Sequence, residues 1–333
     1  MSRAATLSIF GWLIRDTFRQ AKASGLFWLL LGITGLFFLV CLSVSVDGSS
    51  LTRDPHDSTE FLPRQDQVTD PAKAARDNVP TIQGDLRIGF GVMRIPFGRD
   101  AEDAVRFLQL LLAAGVADTA GILLALVWTA GFLPRFLDPA TAAVLLAKPA
   151  PRWALILGKY AGVVVFVAFQ ALIFVTVTWL ALGIRTEVWD QAYFRTVPLM
   201  LIHFGVFYSV SVFLAVATRS TAACIFGSVS FWFLCWGMNY GRHALVAMPE
   251  QGAFSGPLRT VVEVGYWLLP KPADFGIILF DNLHAGSFFA RLSEFQIVQA
   301  KGAVTPSLSI LSSLAFAVVV LLMAVYELNQ RDF

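Results

Sequence analysis

Apolar residues in this chain fall into six long runs, separated by stretches that are charged, polar or rich in proline. The runs are Leu26–Val46, Phe107–Phe132, Trp153–Leu182, Val197–Ala217, Ala222–Tyr240 and Leu308–Tyr326. A helix rises about 1.5 Å per residue, so about 20 apolar residues cross the hydrocarbon core of a bilayer. Each run falls in or above that range. The third is long enough to tilt or to project past the bilayer. Thr218–Thr221 alone joins the fourth and fifth, which predicts a tight antiparallel hairpin. The pattern predicts an all-α polytopic membrane protein with six transmembrane helices. The first run is longer than the roughly 7–15 apolar residues of a signal peptide, so it reads as a retained span and not as a cleaved leader.

The segments between the runs have patterns of their own. In 5–24, Leu7, Phe10, Leu13, Ile14, Thr17, Phe18 and Ala21 recur at helical spacing, with Arg15, Asp16, Arg19, Gln20 and Lys22 mostly opposite. This predicts an amphipathic helix lying in the membrane interface, its basic face toward anionic headgroups. The alternative is a helix that continues the first span. Segment 47–106 is polar and irregular except at 86–97, where Leu86, Ile88, Phe90 and Val92 alternate with polar residues or glycine, a strand signal. Segment 241–307 holds two apolar pieces too short to span, Val261–Leu269 and Phe275–Leu283. Pro270 and Pro272 divide them, and they read as interfacial or re-entrant helices.

The stretch 138–148 is a third kind of element. Asp138 suits a helix N-cap, Pro139 the first helical position, Lys148 the negative end of the helix dipole, and Pro149 the stop. Val144, Leu145 and Leu146 give this short helix, roughly 13 Å long, an apolar side. It reads as a docking element for another protein. The alternative is a surface turn resting on headgroups.

Charge orients these pieces. Arg3, Arg15, Arg19 and Lys22 precede the first run, Arg135, Lys148 and Arg152 lie between the second and third, and Arg219 sits in the tight hairpin. With six spans these lie on one side with the C-terminus, and the excess of basic residues predicts that side to be cytoplasmic. Segments 47–106 and 241–307 then face outward. Composition fits the same solvent: the chain is 56% hydrophobic and 14% charged, against about 25% charged for soluble domains. Its net charge of +2 gives no footprint for nucleic acid.

Candidate chemistry is sparse. His56, His203, His243 and His284 show no metal-ligand spacing. Cys41, Cys224 and Cys235 lie in apolar runs. The last two are separated by roughly 16 Å of helical rise, too far for a disulfide. Asp118 is the one acid deep in a span, and His203 lies in another. Each is read either as a packed, hydrogen-bonded group or as a contact for substrate or proton. The pairs Ala117/Gly121 and Gly158/Gly162 have the spacing of close helix crossings. Gly158–Lys159 is followed by Tyr160 and lacks the upstream glycine of a phosphate-binding loop, so no nucleotide site is expected on the chain.

The order of these elements resembles the membrane subunit of type-2 ABC transporters. An interfacial helix precedes six spans, a short helix stands between the second and third, and a large outer segment precedes the last. The stretch 138–160 is similar to that family's cytoplasmic pattern: Asp138 at the acid, Thr141 near the threonine, Leu145 and Leu146 in the helix, then Pro149, Arg152, Gly158 and Lys159. It departs from the pattern at Ala140, where the family has glycine, and at Pro139, which is inserted. The subgroup it most resembles is the permeases of multicopper-enzyme maturation, such as nitrous-oxide-reductase assembly.

The resemblance implies that 1–333 is one transmembrane permease domain in a bacterial cytoplasmic (inner) membrane. It implies a dimer of identical or different permeases and a separate ATP-binding cassette ATPase. ATP would act only through that partner, with no cofactor and no catalytic residue on the chain itself. Asp138, Thr141, Leu145, Leu146 and Arg152 are the expected coupling residues, Arg15 and Arg19 would support the interfacial helix, and the expected direction is export. The rival readings are an ion-coupled secondary transporter using Asp118 and His203, a membrane-embedded enzyme, and an assembly or anchor subunit that moves nothing. A metal cation as cargo is disfavoured by the lack of Met, Cys or His clusters.

Overall fold

A computed structural model of the chain describes residues 3–47, 84–97, 101–137, 151–247, 256–285 and 293–330. Helices α1 (Arg3–Ala23) and α2 (Leu26–Leu42) open the chain, followed by strand β1 (Ser45–Asp47) and the hairpin β2 (Gly84–Ile88) and β3 (Met93–Phe97). The second apolar run is built from α3 (Ala101–Leu110), a π-helical segment (Leu111–Gly121), α4 (Ile122–Thr129) and α5 (Phe132–Phe136). Then come α6 (Arg152–Thr186), a 3₁₀ turn (Gln191–Arg195), α7 (Thr196–Thr218) and α8 (Thr221–Ala247). Helices α9 (Pro257–Leu268), α10 (Pro272–Asn282), α11 (Ser293–Ala300) and α12 (Pro306–Gln330) complete the order. Among the described residues five helical stretches are long and apolar enough to cross a membrane, and the bent pair α1–α2 is a sixth when counted as one span. The chain is an all-α polytopic membrane protein whose only described strands form one small sheet. The predicted helix 138–148 lies outside the described residues.

Helix α7 is the axis of the bundle. Of its most apolar window 78% is buried by other elements, against 22% for α8 and for α12. Its neighbours are α6, α8 and α12. The outer faces of α8 and α12 expose Phe226, Phe233, Leu311, Val318 and Leu322, as expected where the solvent is lipid. Helix α6 has 35 residues, about 52 Å at the helical rise, and therefore extends beyond a bilayer core of about 30 Å.

Helix α1 does not continue α2. The two axes meet at 71°, and Gly25 makes the corner at φ 74°, a left-handed conformation that glycine adopts without steric cost. The buried face of α1 is Leu13, Thr17 and Ala21, one residue per turn, and it lies on α6. Arg15, Arg19 and Lys22 stay exposed. Gly158 and Gly162 make the close approach possible. A Cβ on Gly158 would stand 2.3 Å from Leu13 Cδ1, and one on Gly162 would stand 2.6 Å from Thr17 Oγ1 and 3.2 Å from the Leu13 carbonyl. The other small pair, Ala117/Gly121, behaves differently from the close crossing expected of it: it faces a cavity.

Helix α2 stops at Leu42 although the apolar run continues to Val46. Ser43 ends it, donating its hydroxyl to the Val40 carbonyl and accepting from the amide of Gly89 in the hairpin turn. Strands β1, β2 and β3 are antiparallel neighbours, with Val46 opposite Leu86 and Leu86 opposite Ile95. The alternation read at 86–97 as strand is therefore interrupted. Gly89, Phe90 and Gly91 all have positive φ, so Phe90 and Val92 sit at the exposed tip of a turn and not on a strand face.

The two ends of the bundle are distinct. At one end Arg152 donates to the carbonyls of Leu328 and Asn329 at the end of α12, Gly131 lies against Thr221, and α1 rests on the start of α6. At the other, Arg185 donates to the Val44 carbonyl and Arg106 pairs with Asp190 at 3.4 Å. The first end carries Arg15, Arg19, Arg135, Arg152 and Arg219; the second carries the sheet.

Candidate functional site

Asp118 and His203, far apart in sequence, meet in the interior. Asp118 sits in the π-helical segment, a geometry that is rare and concentrated at functional sites. Thr119 reinforces the wider turn by donating to the carbonyl five residues back, Ala114. His203 lies on α7, and its Nδ1 is 3.0 Å from Asp118 Oδ1. On the other side of the ring, Trp232 of α8 donates its indole N–H to His203 Nε2 at 3.1 Å. All three side chains are buried.

This chain of bonds fixes the tautomer. An indole N–H can only donate, so Nε2 accepts and the ring proton sits on Nδ1, donating to the carboxylate. A second proton on Nε2 would point at the indole hydrogen. Trp232 thus occupies Nε2 for as long as it stays in place. Aromatic rings close the site: His203 is stacked with Phe275 at 5.2 Å, Phe207 meets its edge at 5.4 Å, and the Trp232 ring lies beside it, nearly coplanar, with centroids 6.4 Å apart.

Phe275 belongs to α10, and its neighbour Asp274 anchors a second cluster. Asp274 Oδ1 is 2.8 Å from His243 Nε2 and accepts from Asn239 Nδ2 at 2.9 Å, both on α8. Oδ2 accepts from the Tyr266 hydroxyl of α9 at 3.0 Å and from the Ser309 hydroxyl of α12. The Asn239 carbonyl oxygen accepts from the backbone N–H groups of Ala273 and Asp274, at 2.8 and 3.0 Å. It thereby caps the first turn of α10 from another helix. Burial alone pushes the Asp274 carboxyl up. The hydrogen bond and charge of His243, with Ser309 and Asn239, outweigh burial and hold it below its ordinary range. Lys271, one residue before α10, is also buried. It donates to Ser312 at 2.7 Å and stands over the Tyr266 ring at 4.8 Å. Burial lowers the Lys271 ammonium against the opposing pull of Asp274. One short helix therefore bridges two Asp–His pairs, Asp118–His203 in the interior and Asp274–His243 toward the end that carries the sheet.

A third cluster ties α1 to α6. Lys159 Nζ donates to Asp16 Oδ2 at 2.9 Å and to Gln20 Oε1 at 2.8 Å, and lies 5.5 Å from the centre of the Phe136 ring. Lys159 is buried, whereas the Asp16 side chain is 39% exposed.

A model of the family described as ABC-2 family transporter protein matches residues 12–333. The chain belongs to the ABC-2 family of transporter proteins. It is the membrane-spanning permease subunit of an ABC transporter, a class whose ATPase is a separate partner. No curated protein matches it. All three clusters lie within the matched span.

Of the residues expected to couple the permease to its ATPase, Asp138, Thr141, Leu145 and Leu146 lie outside the described residues. Arg152 is described, and it is engaged with the end of α12. Asp118 and His203 are brought together as a pair. Sequence reasoning missed Asn239, Tyr266, Lys271 and Asp274, and counted His243 only as one of four scattered histidines. The available signal was Lys271 and Asp274 beside two prolines, opening an apolar segment. No spacing linked that segment to Asn239 and His243.

Proposed function

We propose that this permease is one half of an ATP-driven exporter in a bacterial cytoplasmic membrane, working as a dimer of identical or related chains on a dimer of ATPases. The end bearing Arg15, Arg19, Arg135, Arg152 and Arg219 faces the cytoplasm, and both termini lie there. The ATPase docks on 138–148 through Leu145 and Leu146, with Asp138 and Thr141 shaping the short helix. The subgroup acting in multicopper-enzyme maturation is the proposed place for it within the family.

One observation carries the coupling mechanism: Leu13 and Thr17 are seated on Gly158 and Gly162, and Lys159 is bonded to Asp16 and Gln20. Segment 138–150 immediately precedes Pro151 and α6 in the sequence. A push on it reaches the start of α6, and the clamp makes α1 move with it. Arg152 passes the same displacement to the end of α12. At the far end, α10 is the outer gate. Opening it requires Asp274 to leave its donors and Phe275 to leave His203.

The Asp118–His203 pair is the observation that favours ion-coupled transport. Trp232 opposes that reading, because it occupies the nitrogen through which a relay would load its proton. The test is ATPase turnover of the complex reconstituted with Lys159→Met permease. Turnover uncoupled from transport, with the ATPase still bound, is expected. Full coupling would remove the clamp from the mechanism.

A further inference from the structure

The register of the small sheet aims its hairpin turn at the membrane. Strand β1 leads away from the end of α2, and β2 runs back against it, with Asp47 opposite Asp85 and Ser45 opposite Arg87. Each step along β2 from Asp85 to Ile88 therefore returns toward α2, and the turn that follows arrives at the helix end. There the Gly89 amide donates to the Ser43 hydroxyl oxygen at 2.9 Å, and the Phe90 amide donates to the Ser43 carbonyl at 3.3 Å. These two bonds fix the turn at the height of Ser43.

That height is the edge of the hydrocarbon. Helix α2 has 17 residues, about 25 Å at the helical rise, against about 30 Å for a bilayer core. Helix α1, with Arg15, Arg19 and Lys22 exposed, turns away at 71° just before Leu26 and marks the opposite edge. Beside Ser43, Arg185 donates to the Val44 carbonyl, and a guanidinium belongs at the interface and not in hydrocarbon. Leu36, Leu39 and Val40 on the last turns of α2 are exposed, as residues facing lipid are. At the end of that apolar face Phe90, Val92 and Met93 are 82%, 87% and 56% exposed. An apolar cluster this open marks an interaction surface. Phe90 also holds φ 55° between two glycines, so a ring stands where the backbone favours glycine or asparagine.

We propose that the hairpin tip is a lipid-contacting foot, with Phe90, Val92 and Met93 entering the leaflet on the sheet's side at the depth of the first acyl carbons. The contact continues the lipid-facing surface of α2, which is too short to fill the leaflet alone. The strand register supports the same partner. Arg87 stands opposite Arg94, one pair behind Ile88 and Met93. Basic residues therefore follow the apolar tip outward, an order that suits acyl chains below and anionic headgroups above.

The test is fluorescence quenching on the full-length chain in nanodiscs. It needs no ATPase, so its outcome is independent of the exporter reading. Cysteine replaces Phe90 or Val92 in separate proteins and carries the fluorophore NBD. Cys41, Cys224 and Cys235 are buried, and wild type treated identically supplies the blank. Both labels should lose intensity to phosphatidylcholine spin-labelled high on the acyl chain, lose less to the same lipid labelled at the chain end, and be shielded from aqueous iodide. A label at Leu36→Cys, about 10 Å deeper along α2, should reverse the order of the two lipids. Quenching by iodide and by neither lipid would put the tip in water and overturn the proposal. Quenching by none of the three would mean that protein covers the tip, a second copy or another part of this chain, and overturns it as well. The two tip sites are labelled independently, so one monodisperse variant is enough to decide.

Discussion

Replacing Asp274 with alanine removes one carboxylate from a site built by three other helices. Tyr266 and Ser309 lose the acceptor of their hydroxyl protons, and Asn239 and His243 lose their shared acceptor at Oδ1. Tyr266 is 3% exposed and His243 fully buried, so water cannot substitute without rearrangement. Each orphaned donor costs about 1–3 kcal/mol. Relaxation keeps the total below the sum, near the roughly 3–5 kcal/mol lost when one partner of a buried pair is removed. At about 2–4 °C per kcal/mol, the melting temperature should fall by about 10 °C. Asp274→Asn should cost less than half as much. It keeps one acceptor oxygen, and the two hydroxyls can rotate to accept from the new amide. The assay is thermal denaturation in nanodiscs, read by monodisperse protein remaining after heating. Wild-type melting for Asp274→Ala, or equal losses for the two variants, would refute the reasoning.

The pH dependence of the same site has a defined sign. The folded-state carboxyl of Asp274 lies below its ordinary value of 3.8, so its contribution is present above that value and lost as pH falls through the depressed one. Melting curves of wild type and Asp274→Asn should therefore converge only in strong acid; convergence already at pH 6 contradicts the assignment. Gly162→Val should free α1 from α6, because the added carbons meet the Leu13 carbonyl and Ile14 Cα as well as a movable side chain; increased protease cleavage between α1 and α2 measures it. Asp118→Asn should fold and support wild-type turnover, since the amide oxygen still accepts from His203 Nδ1, whereas Asp118→Leu should lose about 3 kcal/mol. Loss of transport in a folded Asp118→Asn protein would instead assign the charge a direct role.

The membrane-spanning helices were legible because a bilayer imposes a one-dimensional rule: a span must be apolar along its whole length. The change from an amphipathic to a uniformly apolar pattern marked α1 off from α2 but left open a helix continuing into the first span; the corner at Gly25 decides between them. The Gly158/Gly162 spacing announced a close approach, though not that α1 would be the partner. The same spacing at Ala117/Gly121 led elsewhere, because the π-helical turn carries those residues to a cavity wall. Phe90 and Val92 fitted an alternating strand, but positive φ at Gly89 and Gly91 turns the chain between them. The Asp274 cluster was hidden for a different reason. Its members come from four helices separated by tens of residues, and a short apolar piece after a proline looks alike whether it lies on a membrane surface or plugs a bundle.

Association with the ATPase tests the account most directly. The tagged chain is purified from its native membrane in mild detergent, as wild type and with Leu145 and Leu146 both replaced by Asp, and nucleotide hydrolysis is measured on each eluate. The account predicts a stoichiometric ATP-binding subunit and turnover with the wild type, and neither with a double variant that inserts and folds normally. An ATPase retained by the double variant would contradict docking at 138–148, and a wild-type chain that purifies alone and without turnover would contradict the ATP-driven mechanism itself.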